Sequence, residues 1–229
     1  AANDMVSLNT DMLKVPVTHK APPRLVNHTG NLLWATNGID LGDGEPTVSP
    51  PNYLVTPLFT KGGLDMLVGP SEVGKSWMAM DLVICVATGK NWLVPEGSSS
   101  GKGFRTKQTN VVYVDNENGI YRLKRRLKAL MRGHETPRPP IWAFASPQPG
   151  IDASNEESIR GQLQETILQC NAGLVVVDSL STVCPGVEEN SSDMAGVMTA
   201  FRQLTNATGA SVLLIHHENK NSESKGSNR

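Results

Sequence analysis

Residues 69–76 restrict the possible folds of this chain more than any other segment, because they read GPSEVGKS and fit the pattern GxxxxGK[ST]. Glycines in that pattern let the backbone curl until successive N–H groups point at a phosphate, and the following helix adds the positive end of its dipole. An apolar run at 64–68 precedes the segment and a longer one at 77–88 follows it. Strand, glycine-rich turn and helix is the required context, which favours a nucleotide-binding loop over a chance match in a surface turn.

Individual residues of this loop have separate predicted tasks. Lys75 supplies a positive charge for the β- and γ-phosphates and counts among the predicted catalytic residues, and the Ser76 hydroxyl is a predicted ligand of Mg²⁺. The residues predicted to bind the nucleotide are Gly69, Pro70, Ser71, Glu72, Val73, Gly74, Lys75, Ser76 and Trp77.

Length, charge and cysteine content limit the remaining possibilities. A chain of 229 residues can bury one full core with an appended arm, and a net charge of −1 leaves nucleic-acid contacts to local clusters. The cysteines, Cys85, Cys170 and Cys184, lack CxxC spacing, so we expect neither a metal site nor a disulfide framework. Without a membrane-length apolar run or a signal peptide, we expect a cytoplasmic protein with no membrane partner.

Hydrophobic patterning divides the chain near residue 50. Residues 1–50 are predicted to form an arm or linker, and residues 51–229 the core, with a loop or hairpin at 95–110 and a polar tail at 218–229. Strands are predicted at 64–68, 111–115, 141–145, 174–178 and 211–215, and helices at 77–88, 120–131, 159–167 and 194–204, the last with capping residues at 190–192. Uniformly apolar strands separated by helices indicate an α/β fold whose mostly parallel central sheet has helices on both faces.

Acids that end two predicted strands are candidates for catalysis, since ligands of open α/β sheets lie beyond the carboxyl ends of the strands. Asp178 fits a Walker B acid that holds Mg²⁺ through water. Ser179 follows it where many ATPases carry the catalytic glutamate, so another carboxylate has to activate the attacking water. Glu117 is the candidate, ahead of Asp115, and the alternative is an ordinary solvent-exposed acid.

Histidines and basic residues supply the other candidates. His216 and His217 end the last strand and are candidates to sense the γ-phosphate or to link nucleotide state to the following loop. The alternative is that one histidine is packed and the other solvated. The tail residues Lys220, Lys225 and Arg229 are predicted to contact DNA phosphates, although their composition also suits disorder. A solvated surface is favoured over a partner or nucleic-acid face for the basic helix residues Arg122, Lys124, Arg125, Arg126, Lys128 and Arg132.

From Pro51 to Arg229 the chain resembles the RecA-like P-loop ATPases, and within them the branch of RepA-type hexameric plasmid helicases and related phage and mobile-element ATPases. The resemblance implies a three-layer P-loop NTPase that hydrolyses ATP with Mg²⁺, with Glu117 as the water-activating glutamate, Asp178 as the Walker B acid and His217 as the strand-end sensor. The segments that carry it are PNYLVTPLFTKGGLDMLVGPSEVGKSW, VVYVDNENG, LVVVDSLS, PGVEENSSDM and SVLLIHHENK.

The same resemblance implies a self-assembling motor, a hexameric ring or a filament, with ATP sites at subunit interfaces and the loops after Asp178 and His217 facing single-stranded DNA. Related proteins continue past a segment matched here by residues 225–227 to a basic residue that reaches the neighbouring ATP, so we expect a fragment or the loss of that residue. Two alternatives stay open: a P-loop small-molecule or nucleotide kinase, and a non-hydrolysing module whose assembly ATP controls. A GTPase is less favoured. Residues 219–222 resemble the guanine-recognition motif NKxD, but Ser222 occupies the position of the Asp that binds guanine.

Overall fold

Within residues 51–95, 101–147, 150–187 and 192–217, the computed structural model describes eight strands, five α-helices and one π-helical segment. The strands are β1 (Tyr53–Thr56), β2 (Phe59–Thr60), β3 (Leu64–Gly69), β4 (Arg105–Thr106), β5 (Asn110–Asp115), β6 (Ile141–Ala145), β7 (Ala172–Asp178) and β8 (Ser211–His217). The helices are α1 (Lys75–Thr88), α2 (Ile120–Gly133), α3 (Glu165–Gln169), α4 (Leu180–Val183) and α5 (Ser192–Thr208), and the π-helical segment (Ser158–Gln164) directly precedes α3.

Several predictions fall outside these residues. They are the N-terminal arm at 1–50, the polar tail at 218–229 with its predicted DNA contacts Lys220, Lys225 and Arg229, and the predicted cap positions 190 and 191. All described residues belong to the unit Pro50–Arg229. The predicted domain boundary at residue 50 therefore stays a prediction.

The central sheet has the strand order β3-β8-β7-β5-β6, and all neighbouring strands run parallel. Parallel neighbours need crossover connections, which the helices between the strands supply. β7 is apolar from Leu174 to Val177 because those side chains are buried whichever face of the sheet they point to. The predicted strands and the predicted α/β class with a mostly parallel central sheet are confirmed.

Helices cover the sheet on two faces, named here for the helix that packs on each. The α1 face is covered by α1 and α2 over strand residues such as Val111, Tyr113 and Val176. The α5 face is covered by the π-helical segment, α3, α4 and α5 over alternate residues such as Val112 and Val175. Because side chains alternate along a strand, each strand contributes to both cores. The structure thus has the three predicted layers.

The two edge strands depart from the prediction of a sheet covered on both faces. Four large apolar side chains on the α5 face are 36–46% exposed, and they are Met66 and Val68 of β3 and Trp142 and Phe144 of β6. The helices of that face lie over the inner strands, whose residues are buried. Within the described part of the chain, the helices therefore cover the middle of the sheet and leave its two edges open on the α5 face.

Two local features were not predicted from the sequence. A small antiparallel sheet of order β2-β1-β4 includes two residues of the segment 95–110, which was predicted to be a loop or hairpin. Strands of two residues are too short to show an alternating pattern. The predicted helix at 159–167 is π-helical as far as Gln164, which is two thirds of its length, although Ile159, Leu163 and Ile167 are buried as expected. Among the described residues, no helix has the length and apolar character needed to cross a membrane.

Candidate functional site

The loop between β3 and α1 has the backbone shape that phosphate binding requires. Gly74 caps the helix in the left-handed conformation, with φ +94°, which glycine adopts without steric cost. Glu72 also has a positive φ, 66°, which is uncommon outside glycine. These bends bring the chain to the first turn of a 14-residue helix, whose free N–H groups carry partial positive charge. The loop can therefore hold an anion.

Lys75 lies inside this loop and is only 5% exposed. Its Nζ donates hydrogen bonds to the carbonyl oxygens of Gly69, at 2.7 Å, and Pro70, at 2.6 Å. These contacts fold the ammonium back over the start of the loop. The positive charge thus stands at the end of β3, where the loop leaves the sheet.

Ser76 and Trp77 follow in the first turn of α1. Ser76 is partly buried, and the Trp77 ring is 42% exposed with Cζ of Arg126 lying 5.5 Å from its centroid. This cation–π contact joins α1 to α2. The roles of Ser76 in holding Mg²⁺ and of Trp77 in nucleotide binding stay predictions.

Asp115 and Asp178 are neighbours in register at the ends of β5 and β7, and both are fully buried. Asp178 Oδ2 accepts a 2.7 Å hydrogen bond from the Tyr113 hydroxyl, whereas its Oδ1 is buried and has no hydrogen-bond partner among the described residues. Burial first, and then the charge and hydrogen bond of Asp178, raise the pKa of Tyr113 well above its usual value. The Tyr113 hydroxyl therefore keeps its proton and donates a hydrogen bond to Asp178 Oδ2, which leaves Asp178 Oδ1 available to another ligand.

Asp115 has a different task. Its Oδ1 accepts hydrogen bonds from the backbone N–H of Glu117 at 3.1 Å, and from the backbone N–H and side-chain amide of Asn118 at 2.7 and 3.2 Å. Burial raises the pKa of Asp115, and the hydrogen bonds from Asn118 oppose that rise. Asp115 thus shapes the turn that carries Glu117, which supports Glu117 over Asp115 as the group that meets water.

The structure brings together three of the predicted site residues. One ligand atom each of Glu117, Asp178 and His217 lies within 4.8 Å of the others, and the Glu117 Oε2 to His217 Nε2 distance is 3.4 Å. His217 pairs in register with Gly69, the last residue of β3, so this cluster adjoins the start of the loop. The side chain of Glu117 is 48% exposed and accessible from solvent, whereas that of His217 is 26% exposed and both of its ring nitrogens are buried.

The donor set of this cluster fits a divalent cation with bound water. A buried carboxylate oxygen without a hydrogen-bond partner calls for an explanation, and a cation with its waters beside Asp178 Oδ1 supplies one. Mg²⁺ takes one or two protein carboxylates and completes its shell with water and phosphate oxygens. The arrangement can therefore hold Mg²⁺ at Asp178 and polarise a water at Glu117.

His216 and the basic residues of α2 are not members of this cluster. Strand alternation directs His217 to the α1 face and His216 to the α5 face, since their neighbours in β8, Ile215 and Leu214, belong to those cores. Among the basic residues of α2, Arg122 donates to Asn118 Oδ1 at 2.8 Å and Arg126 contacts Trp77. The other four, Lys124, Arg125, Lys128 and Arg132, are exposed.

Sequence reasoning missed Tyr113 and Asn118. Tyr113 stands within an apolar strand and is expected there as core. The available signal was its position two residues before Asp115, which places both side chains on one face of the sheet. Asn118 follows a strand end, where Asx side chains commonly organise turns.

Replacing Tyr113 with phenylalanine is expected to lower the free energy of unfolding by about 1–3 kcal/mol, because a buried carboxylate loses its hydrogen-bond donor. The measurement is the urea midpoint without nucleotide. Tyr121→Phe is the matched control, since its side chain is 88% exposed. An unchanged midpoint in Tyr113→Phe would mean that the hydroxyl does not stabilise Asp178.

Comparison with known proteins provides a family match. A family model described as an AAA domain matches residues 36–223. A search of curated proteins finds no match. Among 388 matching chains of known structure is a KaiC-like protein from the hyperthermophilic archaeon Pyrococcus horikoshii OT3. It is 16% identical with a TM-score of 0.47, and the match covers 72% of this chain and 65% of that protein, so this chain spans under two thirds of its length.

Proposed function

Because this chain belongs to the AAA domain family, we propose that it is a RecA-like P-loop ATPase that hydrolyses ATP with Mg²⁺. The observation that carries the proposal is the convergence of Glu117, Asp178 and His217 at the sheet edge where Gly69 begins the loop. An anion-binding loop with acids from two separate strands beside it is the arrangement that phosphoryl transfer to water needs.

Each residue of the site has a distinct task in this reaction. The loop N–H groups and Lys75 hold the β- and γ-phosphates. Ser76 and Asp178 would hold Mg²⁺, which neutralises negative charge on those phosphates. Glu117 orients the attacking water and accepts its proton as the oxygen approaches phosphorus. Products are ADP and inorganic phosphate.

His217 positions Glu117 in this scheme. Its Nε2 lies 3.4 Å from Glu117 Oε2, so an Nε2–H group can hold the Glu117 carboxylate in place by electrostatic attraction to the carboxylate oxygens. His217 is also the last residue of β8, directly before the segment 218–229. A change at the γ-phosphate that moves Glu117 is therefore passed to the start of that segment.

Single-stranded DNA is the proposed partner of that segment. Lys220, Lys225 and Arg229 supply three positive charges among polar residues, a composition suited to phosphate contacts. The resemblance to RepA-type helicases and related ATPases likewise supports DNA as the partner along which the protein moves. The ATPase would then act as a motor in which ATP turnover changes the affinity of this segment for DNA.

Self-assembly into a ring or filament is the proposed oligomeric form. Four of the exposed large apolar side chains lie at opposite edges of the sheet, with Met66 and Val68 on β3 and Trp142 and Phe144 on β6. Two different patches of one chain that meet across copies make a head-to-tail contact, which generates rings or filaments. This placement supports a repeating assembly over a two-fold dimer.

ATP turnover is expected to rise when single-stranded DNA is added, with Lys75→Ala as the inactive background. DNA affinity is expected to fall as the salt concentration rises. A plot of the logarithm of the binding constant against the logarithm of the salt concentration should have a slope of about −2 if three phosphates are contacted, since each phosphate on a single strand contributes roughly −0.7. Lys220→Ala and Lys225→Ala should each make that slope shallower, whereas Lys102→Ala, at an exposed lysine elsewhere, should not.

Three outcomes would redirect the proposal. Turnover that DNA leaves unchanged, together with no salt-dependent binding, would remove DNA as the partner. Phosphorylation of an added small molecule would favour the kinase. Nucleotide-dependent assembly in a sizing run, without turnover, would favour the non-hydrolysing module.

A further inference from the structure

A second cluster of metal-ligating side chains lies between helices α1 and α2. Asp81 and Cys85 are four residues apart on α1 and therefore share one side of the helix. His134 caps the C-terminus of α2. One ligand atom from each of the three lies within 4.8 Å of the others. Its members are distinct from Glu117, Asp178 and His217.

We propose that Asp81, Cys85 and His134 bind a divalent transition metal of the Zn²⁺ class. A thiolate, an imidazole nitrogen and a carboxylate are ligands that Zn²⁺ accepts in tetrahedral sites, whereas Mg²⁺ prefers oxygen alone. Three protein ligands leave one position for water or an added ligand.

The surroundings of the cluster suit such an open site. A cavity of about 530 Å³ adjoins it, lined by the three ligands together with Lys90, Asn91, Leu93, Val94 and Gly101. Cys85 is fully buried, and the side chains of Asp81 and His134 are 25% and 23% exposed. The ligands thus lie at the wall of a cavity that can admit the fourth ligand.

A small adjustment brings the histidine and aspartate ligands to tetrahedral spacing. His134 Nε2 and Asp81 Oδ1 are 2.5 Å apart, and the edge of a tetrahedron with bonds near 2.0 Å is about 3.3 Å. The two side chains therefore have to separate by less than ~1 Å. The Lys90 ammonium donates a hydrogen bond to the backbone carbonyl of His134, and this contact holds the backbone of His134 in place.

The thiol needs to lose its proton when metal binds. Cys85 Sγ donates a 3.6 Å hydrogen bond to the Asn91 carbonyl. Burial first, and then the Asp81 charge, raise the pKa of Cys85 to about 12, with Lys90 opposing. Binding of a metal to Cys85 therefore releases the thiol proton.

Such a metal would connect the two helices that carry the catalytic groups. α1 begins at Lys75, and α2 begins at Ile120, three residues after Glu117. A metal bridging Asp81 and Cys85 to His134 restrains one helix against the other. Its binding would therefore stabilise the placement of Glu117 relative to the loop.

Cobalt(II) titration of the chelator-treated protein tests the proposal without ATP. A thiolate-to-cobalt charge-transfer absorption is expected at one ion per chain and is expected to be displaced by Zn²⁺. Cys85→Ala should abolish it. Asp81→Asn and His134→Ala should weaken cobalt binding by more than the roughly 10- to 100-fold that changes outside the ligand shell cost.

Controls separate this site from the rest of the molecule. Cys170→Ser, at a partly exposed cysteine outside the cluster, and Asp178→Asn, in the proposed Mg²⁺ site, should leave the absorption unchanged. Absence of the absorption in the parent protein, or its persistence in Cys85→Ala, would overturn the proposal and leave a helix–helix hydrogen bond beside a buried thiol. If Cys85→Ala fails to fold, cobalt affinity unchanged in Asp81→Asn and His134→Ala overturns it equally.

Discussion

Replacing Glu117 with glutamine is expected to leave ATP binding intact and to lower turnover by roughly 10²- to 10⁴-fold, the usual contribution of a general base. The amide has nearly the same shape but cannot accept a proton from water. Its backbone N–H can still bond to Asp115, so the turn is expected to persist. Fluorescent-nucleotide binding and phosphate release, measured on the same preparation, give the two quantities.

Glu165→Gln is the matched control for this substitution, since it changes an exposed glutamate at the start of α3. It should alter neither binding nor turnover. Turnover retained in Glu117→Gln would exclude Glu117 as the base. Loss of ATP binding in the same variant would instead give Glu117 a structural part in the nucleotide site.

The alternation of side chains along parallel strands explains why much of the site could be predicted. Asp115 and Asp178 each end an apolar run, and parallel strands end at the same edge of a sheet. Alternation then sends Asp178 and His217 to the face that α1 covers, and sends His216 to the other face. Once the strands are known, the alternation of side chains along each strand thus predicts which residues that are distant in the sequence lie together on one face of the sheet.

Other features depend on contacts that no local pattern encodes. Cys85 has no cysteine or histidine at ligand spacing in the sequence, and it meets His134 only because α1 packs on α2. The hydrogen bond from Tyr113 to Asp178 joins residues 65 positions apart. The π-helical turns escape prediction for a related reason, since apolar residues four apart suit an α-turn and a π-turn alike.

Replacing Asp178 with asparagine is expected to lower Mg²⁺-dependent turnover by roughly 10²-fold or more, while the free energy of unfolding without Mg²⁺ rises by about 1 kcal/mol. The opposite signs have one cause: a carboxylate that is fully buried beside Asp115 opposes folding unless a cation compensates its charge. The amide oxygen can still accept the Tyr113 hydroxyl, and its nitrogen can donate toward Glu117.

Thermal unfolding with and without Mg²⁺ and nucleotide tests that expectation. The melting temperature of Asp178→Asn should exceed that of the parent by roughly 2–4 °C without ligands, and should respond less to Mg²⁺ with nucleotide. Asp193→Asn, at an exposed acid in the first turn of α5, should leave turnover unchanged. Full Mg²⁺-dependent turnover in Asp178→Asn would contradict a role for Asp178 in holding the metal. Loss of stability without ligands would instead contradict the argument that the buried charge of Asp178 opposes folding.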